Sequence, residues 1–307
     1  MIRINQIKLD IGTDEKILNS KIQKLLRLKN SSFTYSIVKK SIDARKKEHI
    51  MYIYSVDVKV DGIDETALVR KLNNKDIIIN KNIKYVFPQI KDTHKNKKIA
   101  IIGSGPAGLF CGLLLARAGF KPVIYERGGN VHERTGIVNA FFETGVLDTE
   151  TNIQFGEGGA GTFSDGKLNS VIKEKDGRIR KVLETFVEFG ANPEILYVNK
   201  PHVGTDVLSV VVSNIRNEII RLGGTVNFNS KVTDIYIDTG KITGIRVNDE
   251  YDEEFNAVVL APGHSARDTF EMLLKKGVEM EKKSFAVGMR IEHNLSLIHI
   301  SEPTRLA

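Results

Sequence analysis

The chain has 307 residues, 41% of them hydrophobic and 27% charged, a globular mix sized for about two domains that excludes a disordered or fibrous chain. Its single cysteine excludes a disulfide framework, a Cys-x-x-Cys redox pair and a cysteine-ligated zinc or iron–sulfur site, and fits a reducing cytoplasm. The net charge of +7 is uneven: residues 1–98 carry 22 Lys and Arg against 11 Asp and Glu, and residues 99–307 carry 23 against 27, a break that marks a domain boundary.

The opening Met1-Ile-Arg-Ile-Asn-Gln lacks the basic-then-apolar pattern of a signal peptide. Residues 1–95 then read as strand (Ile2–Leu9), helix (Asp14–Leu28), strand (Phe33–Ile42), strand (Ile50–Val60), helix (Asp64–Leu72) and strand (Ile77–Val86). The order βαββαβ predicts an α+β ferredoxin-like sandwich. That fold can present aromatics to RNA bases, and the basic balance suits such a partner. However, Tyr52 and Tyr54 share the period-two face of Ile50, Val56, Val58 and Val60, which is the pattern of a buried face. No RNP1-type Lys/Arg-Gly-aromatic run is present, and Lys39-Lys40 and Arg45-Lys46-Lys47 read as solvated charge around a turn. Nucleic-acid binding is therefore not expected, and docking onto the rest of the chain is.

From Ile99 to Ala116 no residue is charged, which a hydropathy scan would flag as a membrane span. Gly-Ser-Gly-Pro-Ala-Gly inside the run would break a single helix. The run predicts a buried strand (Ile99–Ile102), a glycine turn and a helix (about Pro106–Ala118), with Gly119 as the stop and a second strand at Pro122–Tyr125. This βαβ unit carries a dinucleotide fingerprint. Gly103 allows the turn, Gly105 lets backbone approach a pyrophosphate, and Gly108 allows close helix–strand packing. Ser104, Pro106 and Ala107 complete the loop whose helix N-terminus favours phosphate. At the end of the second strand Glu126 is placed to accept from an adenosine ribose.

Residues 96–284 continue as a doubly wound α/β, Rossmann-like domain. A second glycine-rich stretch runs from Gly156 to Lys167, in which Gly158, Gly159 and Gly161 could offer backbone donors to a pyrophosphate or flavin, or form a surface loop. A helix with Leu208, Val211, Val212, Ile215, Ile219 and Leu222 on one face ends at Gly223-Gly224. Two alternating strands follow, Lys231–Asp238 and Ile242–Val247, joined at Thr239-Gly240, and then a buried strand in Ala257–Gly263. Cys111 reads as a packing residue in the fingerprint helix. His202 is the candidate general acid/base, since imidazole titrates near neutrality, with a structural histidine as the equal alternative; Thr205 could cap the helix behind it. His264 and Arg267 follow a strand end near the expected cofactor. Asp206, Asp165 and Glu157 lack metal-ligand spacing, so no metal is expected.

Three features of this half carry a resemblance. Tyr125-Glu126-Arg127-Gly128-Gly129 resembles the strand end of flavoproteins. The helix, the meander and the strand ending Ala261-Pro262-Gly263 resemble the FAD domain of the two-dinucleotide-binding, glutathione-reductase-like flavoproteins, with Pro262 where threonine is usual. The blocks Asn152–Leu168, Lys200–Asp206, Gly263–Phe270 and Phe285–His293 resemble the uncharacterised bacterial FAD-dependent dehydrogenases. The resemblance implies bound FAD, an oxidoreductase moving hydride or electrons between flavin and an unnamed small-molecule substrate, and NAD(P)H as a further electron donor. It implies cofactor contacts from the fingerprint residues, Glu126, Arg127, Gly158, Gly159, Gly161, Lys167, Val232, Ala261 and Gly263.

Residues 295–307 resemble the translation of a library-preparation adapter, so the natural sequence is expected to break near Asn294, with 285–294 opening a further domain. Two other functions fit the same residues. One is an NAD(P)-binding dehydrogenase using the fingerprint. The other is a non-catalytic flavin-bound module that binds RNA or protein through its basic domain.

Overall fold

The computed structural model describes residues 1–29, 31–46, 48–81, 83–90, 96–164, 166–168, 175–284, 288 and 294. Asp165 and the tail at 295–307 lie outside these, as does the 285–293 block apart from Gly288.

The N-terminal half starts with β1 (Ile2–Asp10), α1 (Ile17–Leu25), β2 (Phe33–Asp43), β3 (Met51–Val60), α2 (Glu65–Leu72) and β4 (Ile77–Ile79). The strands form one antiparallel sheet in the order β2-β3-β1-β4. Alternation decides its faces. Ile2, Ile4, Tyr54, Val56 and Val58 are buried together with Leu18, Ile22 and Leu26 of the first helical segment. The face holding Tyr52 and Tyr54 is thus the covered one, as its β-branched company requires. α2 is capped by Asp64, whose side chain accepts from the N–H groups of Thr66 and Ala67 at 2.9 and 3.2 Å.

Two expected boundaries contract. The helix expected from Asp14 begins at Ile17, because Asp14, Glu15 and Lys16 form a tighter turn, with the Ile17 N–H bonding to Asp14 O. The strand expected to reach Val86 ends at Ile79. Beyond it Ile83 and Val86 are 59% and 79% exposed, so alternation there has no buried face to sustain pairing.

The second half is built from β5 (Ile99–Ile102), α3 (Pro106–Arg117), β6 (Val123–Tyr125), α4 (Val131–Thr144), α5 (Arg178–Glu188), α6 (Thr205–Arg221), β7 (Thr225–Asn227), β8 (Val232–Asp238), β9 (Lys241–Val247), β10 (Tyr251–Glu254), β11 (Ala257–Leu260) and α7 (Arg267–Lys275). A four-stranded parallel sheet runs β11-β5-β6-β7. β5, β6 and β11 are short apolar runs because both faces of the sheet are covered. On one face Leu109 and Leu113 of α3 pack with Val211, Ile215 and Ile219 of α6, each side chain adding roughly 1.5–3 kcal/mol by burial. On the other, Tyr125 packs with Ile235, Ile245 and Val247 of a three-stranded antiparallel meander, β10-β9-β8. The third strand of that meander was not expected from its Tyr-Asp-Glu-Glu sequence. Among the described residues no helix is long and apolar enough to cross a membrane.

The halves meet along the edge of β2. Lys40 N–H donates to Tyr197 O at 2.7 Å and Lys40 O accepts from Asn199 N–H at 2.8 Å. An edge strand offers such unpaired groups by construction.

Candidate functional site

At the C-terminal ends of the parallel strands lies a cavity of about 460 Å³, within the size range of small-molecule sites and where open α/β sheets bind ligands. Its wall includes Gly103, Gly105, Pro106 and Ala107 of the fingerprint, Glu126 and Arg127 after β6, and Gly159 of the second glycine stretch. Val232 of the meander and Ala261 and Gly263 after β11 also line it.

The three fingerprint glycines are needed for different reasons. A Cβ on Gly103, whose φ is +101°, would sit 2.3 Å from Ala261 O, and one on Gly108 would sit 1.9 Å from Gly103 O. Both are dictated by the protein's own packing. A Cβ on Gly105 would meet no protein atom within 4 Å. Gly105 also has an ordinary φ of −68° as N-cap of α3, with no side chain capping that helix end. The fold itself therefore gives no reason for glycine at position 105, whereas a ligand approaching the helix N-terminus does.

Glu126 is buried and acts as the hub of the site. Its Oε2 accepts from Ser104 N–H at 2.7 Å and from Ser104 Oγ at 2.9 Å. Its Oε1 accepts from the N–H groups of Gly128 and Gly156, both at 3.0 Å. One carboxylate thus ties together the fingerprint loop, the strand end and the second glycine stretch, with all of its roughly four acceptor positions used.

Arg127 stands at the edge of the cavity, its guanidinium over the Phe155 ring at 4.4 Å. It donates to both Asp268 oxygens at 2.9 and 3.1 Å, and Lys231 reaches Asp268 at 2.8 Å and Glu150 at 2.9 Å. Burial alone would raise the Asp268 carboxyl, but the bonds from Arg127 and Lys231 hold it well below the usual range.

The residue that shapes the second loop was not foreseen. Arg134 of α4 is fully buried. It donates to the carbonyls of Asn152, Ile153, Glu157 and Gly159 and to Thr162 Oγ1, each at 2.8 Å. Burial lowers its pKa to about 10 while Glu126 and Glu157 oppose that shift, so it remains a cation at neutral pH. Beside it the fully buried Glu157 accepts from Val131 N–H at 2.9 Å, with Arg216 at 3.4 Å; burial pushes its carboxyl up. The signal in the sequence was the Asn130-x-x-Glu133 pattern, which forms a complete capping box and opens the helix carrying Arg134.

Other expected residues sit elsewhere. Gly158 and Gly161 are not in the cavity wall: Gly158 N–H is spent on Ser104 O at 2.9 Å. Lys167 and His202 face each other in an isolated antiparallel bridge. Both are exposed and outside the cavity wall. The helix behind His202 has Gly204 rather than Thr205 as its N-cap, and no side-chain cap. His264 is in the wall and Arg267 is not. Cys111 is half-buried in α3, its thiol pushed up by burial. Among the described residues no group of three or more His, Cys, Asp or Glu is arranged to hold a metal.

A parallel sheet with a glycine fingerprint, a buried acid at the second strand end and a meander on its far face defines a Rossmann-like FAD/NAD(P)-binding domain. The chain belongs to the pyridine nucleotide-disulphide oxidoreductase family, which matches residues 97–297 and whose members typically bind FAD and NAD(P)H. Residues 1–59 match a domain of unknown function, DUF8436. An uncharacterised protein of Clostridium beijerinckii is 46% identical over 303 residues, covering 98% of this chain and 56% of that protein, so the chain spans about half the length of this curated relative. A thioredoxin reductase of Pneumocystis jirovecii is 36% identical over 80 residues, 26% of this chain and 21% of that one. Among solved structures, THI4 of Thermovibrio ammonificans aligns at 22% identity with a TM-score of 0.37, over 61% of this chain and 65% of that one. Despite the family's name, one cysteine cannot make a disulfide within this chain.

Proposed function

We propose that the chain is the FAD-binding part of a flavoprotein oxidoreductase, with FAD held in the fingerprint cavity. The observation that supports this most directly is Gly105: a backbone position left bare where no protein atom needs the space. Gly103 to Gly108, with Ser104, Pro106 and Ala107, hold the pyrophosphate against the start of α3. Arg127 and Val232 border the adenine, Gly159 closes over the phosphates, and Ala261 and Gly263 flank the flavin side. Glu126 takes a ribose hydroxyl on Oε2 by displacing the Ser104 hydroxyl while the Ser104 N–H stays bonded. Bound FAD supplies hydride and electron transfer, with NAD(P)H as electron donor and a small-molecule substrate of unassigned class. In this reading residues 1–95 are a ferredoxin-like sandwich, residues 96–284 the doubly wound FAD domain, and the compartment the reducing cytoplasm. The covered tyrosine face of the N-terminal sheet speaks against base stacking there.

The test is an absorption spectrum of the purified chain before and after denaturation. Bands at about 375 and about 450 nm, released as FAD, are expected. Gly105→Val should fold normally and lose the flavin. Equal flavin in that variant, or a colourless protein stabilised by NAD(P) instead, would overturn the FAD assignment.

A further inference from the structure

A second and larger cavity, about 730 Å³, lies where the two halves of the chain face each other. Its floor is the open face of the N-terminal sheet and its opposite wall is α5 together with residues 83–85. The floor is polar by construction. Arg3 of β1 and Asp57 of β3 are direct cross-strand partners and form a two-bond ion pair at 2.8 and 2.9 Å, with Asp57 also accepting from Asn80 at 3.0 Å. A β-bulge between Ile37 and Lys39 of β2 puts Lys39 opposite Ser55. Without it Lys39 would share the buried face of Ile37; bulges commonly re-aim a side chain in this way. On the other wall Arg180 is neutralised by Glu184 at 2.9 Å. The end is closed by Gly177, the N-cap of α5, where a Cβ would lie 2.9 Å from Tyr85 N and 3.0 Å from Ile83 O.

With those pairs cancelled, and the Met1 α-ammonium held by Glu65 at 2.8 Å, three cations remain around the cavity. Lys39 comes from the floor, Lys84 from the connecting segment and Lys181 from α5. Among the described residues none of the three has a carboxylate partner. Like charges facing a confined cleft raise its potential and concentrate anions there. The rest of the lining offers hydroxyl and amide groups from Ser36, Ser55 and Asn5, with Tyr85 beside them. That set suits the uncharged part of an organic phosphate. A nucleic acid is a poorer match, because the floor is walled by α5 and its strands present no aromatic side chain to it.

We propose that this inter-domain cavity is a second ligand site, distinct from the fingerprint cavity, that takes a small organic phosphate of the nucleotide type. Lys39, Lys84 and Lys181 hold the phosphate and the sheet floor orients the remainder. The reading does not depend on what the fingerprint cavity binds.

ADP resembles part of FAD, so the test blocks the first cavity. Full-length chain carrying Gly105→Val is titrated calorimetrically with ADP, alone and with Lys39→Glu and Lys181→Glu added. One ADP per chain is expected in the Gly105→Val background, weakened at least tenfold by the two lysine reversals, which break no ion pair among the described residues and leave the unfolding midpoint in place. Three results would overturn the proposal: no ADP binding in the Gly105→Val background, ADP binding there that the two lysine reversals spare, or lysine-dependent binding of a single-stranded RNA oligomer with none of ADP. Flavin colour, read separately on the parent chain, reports the first cavity alone.

Discussion

Arg134 and Asp268 show how single charges hold the fingerprint cavity in shape. Arg134 supplies donors to the carbonyls of Asn152, Ile153, Glu157 and Gly159 in the tight 152–162 loop. Arg134→Met keeps the bulk and removes every donor. Leaving buried carbonyls unpaired costs about 1–3 kcal/mol each, and breaking a buried charged network about 3–5 kcal/mol, so a loss of about 3–5 kcal/mol in denaturant unfolding is expected. Arg134→Lys should recover only part, because an ammonium cannot serve the same spread of acceptors. Asp268 makes a pH-dependent contribution. Its carboxyl is lowered in the folded chain, so the unfolded state binds more protons in the window below the usual value of about 3.9, and the stabilisation is present above that value and lost as pH falls toward the lowered one. Its side chain is 44% exposed, so solvent screening keeps the effect to about 0.5–1 kcal/mol. Asp268→Asn should be less stable than the parent at pH 7 by that amount, with the gap closing in unfolding curves taken below pH ~4.

The elements behave according to how local their causes are. Asn130 caps α4, accepting from His132 and Glu133 N–H at 3.0 and 3.1 Å while Glu133 bonds back to the Asn130 N–H at 3.3 Å. Asn130→Ala should cost about 1 kcal/mol, measured as a shift in the unfolding midpoint, and should loosen the Arg134 contacts downstream. The same distinction between local and distant causes explains what the sequence could reveal. The fingerprint unit was legible almost to the residue: Ile99–Ile102, a helix from Pro106 and a strand ending at Tyr125 all stand as expected. Its apolar runs, glycines and helix start are local signals. The two-sided role of Glu126 was not legible, since two of its four donors belong to Gly128 and Gly156 and no spacing rule links residue 126 to residue 156. Nor was β10, whose Tyr-Asp-Glu-Glu run is a strand because β9 offers an edge to pair with. His202 was a general acid/base candidate with a structural histidine as the equal alternative; its place at an exposed bridge with Lys167 depends on contacts no periodicity encodes.

At the scale of the whole molecule, the junction between the halves decides whether the inter-domain cavity exists at all. Lys40 contributes backbone hydrogen bonds to Tyr197 and Asn199. Its side chain turns back into its own domain, where it pairs with Glu15 at 2.7 Å and lies 4.8 Å from the Tyr52 ring centre. Glu15 also accepts from Tyr54 OH at 2.8 Å, and its carboxyl is lowered chiefly by the Lys40 bond. Backbone and side chain therefore do separable jobs. Lys40→Ala should weaken the N-terminal domain's own stability while leaving the junction bonded. Lys40→Pro removes in addition the N–H that reaches Tyr197, at an edge-strand position whose N–H points away from β3 and where proline is tolerated. Hydrogen exchange at the Asn199 amide separates the two variants: protection retained in the alanine form and lost in the proline form is expected. Calorimetry should then show one unfolding transition for the parent and two for Lys40→Pro, because Lys40 is the residue of the β2 edge that bonds the second half through its backbone among the described residues. Equal Asn199 protection in both variants would mean that α5 packing, not the β2 edge, holds the halves together.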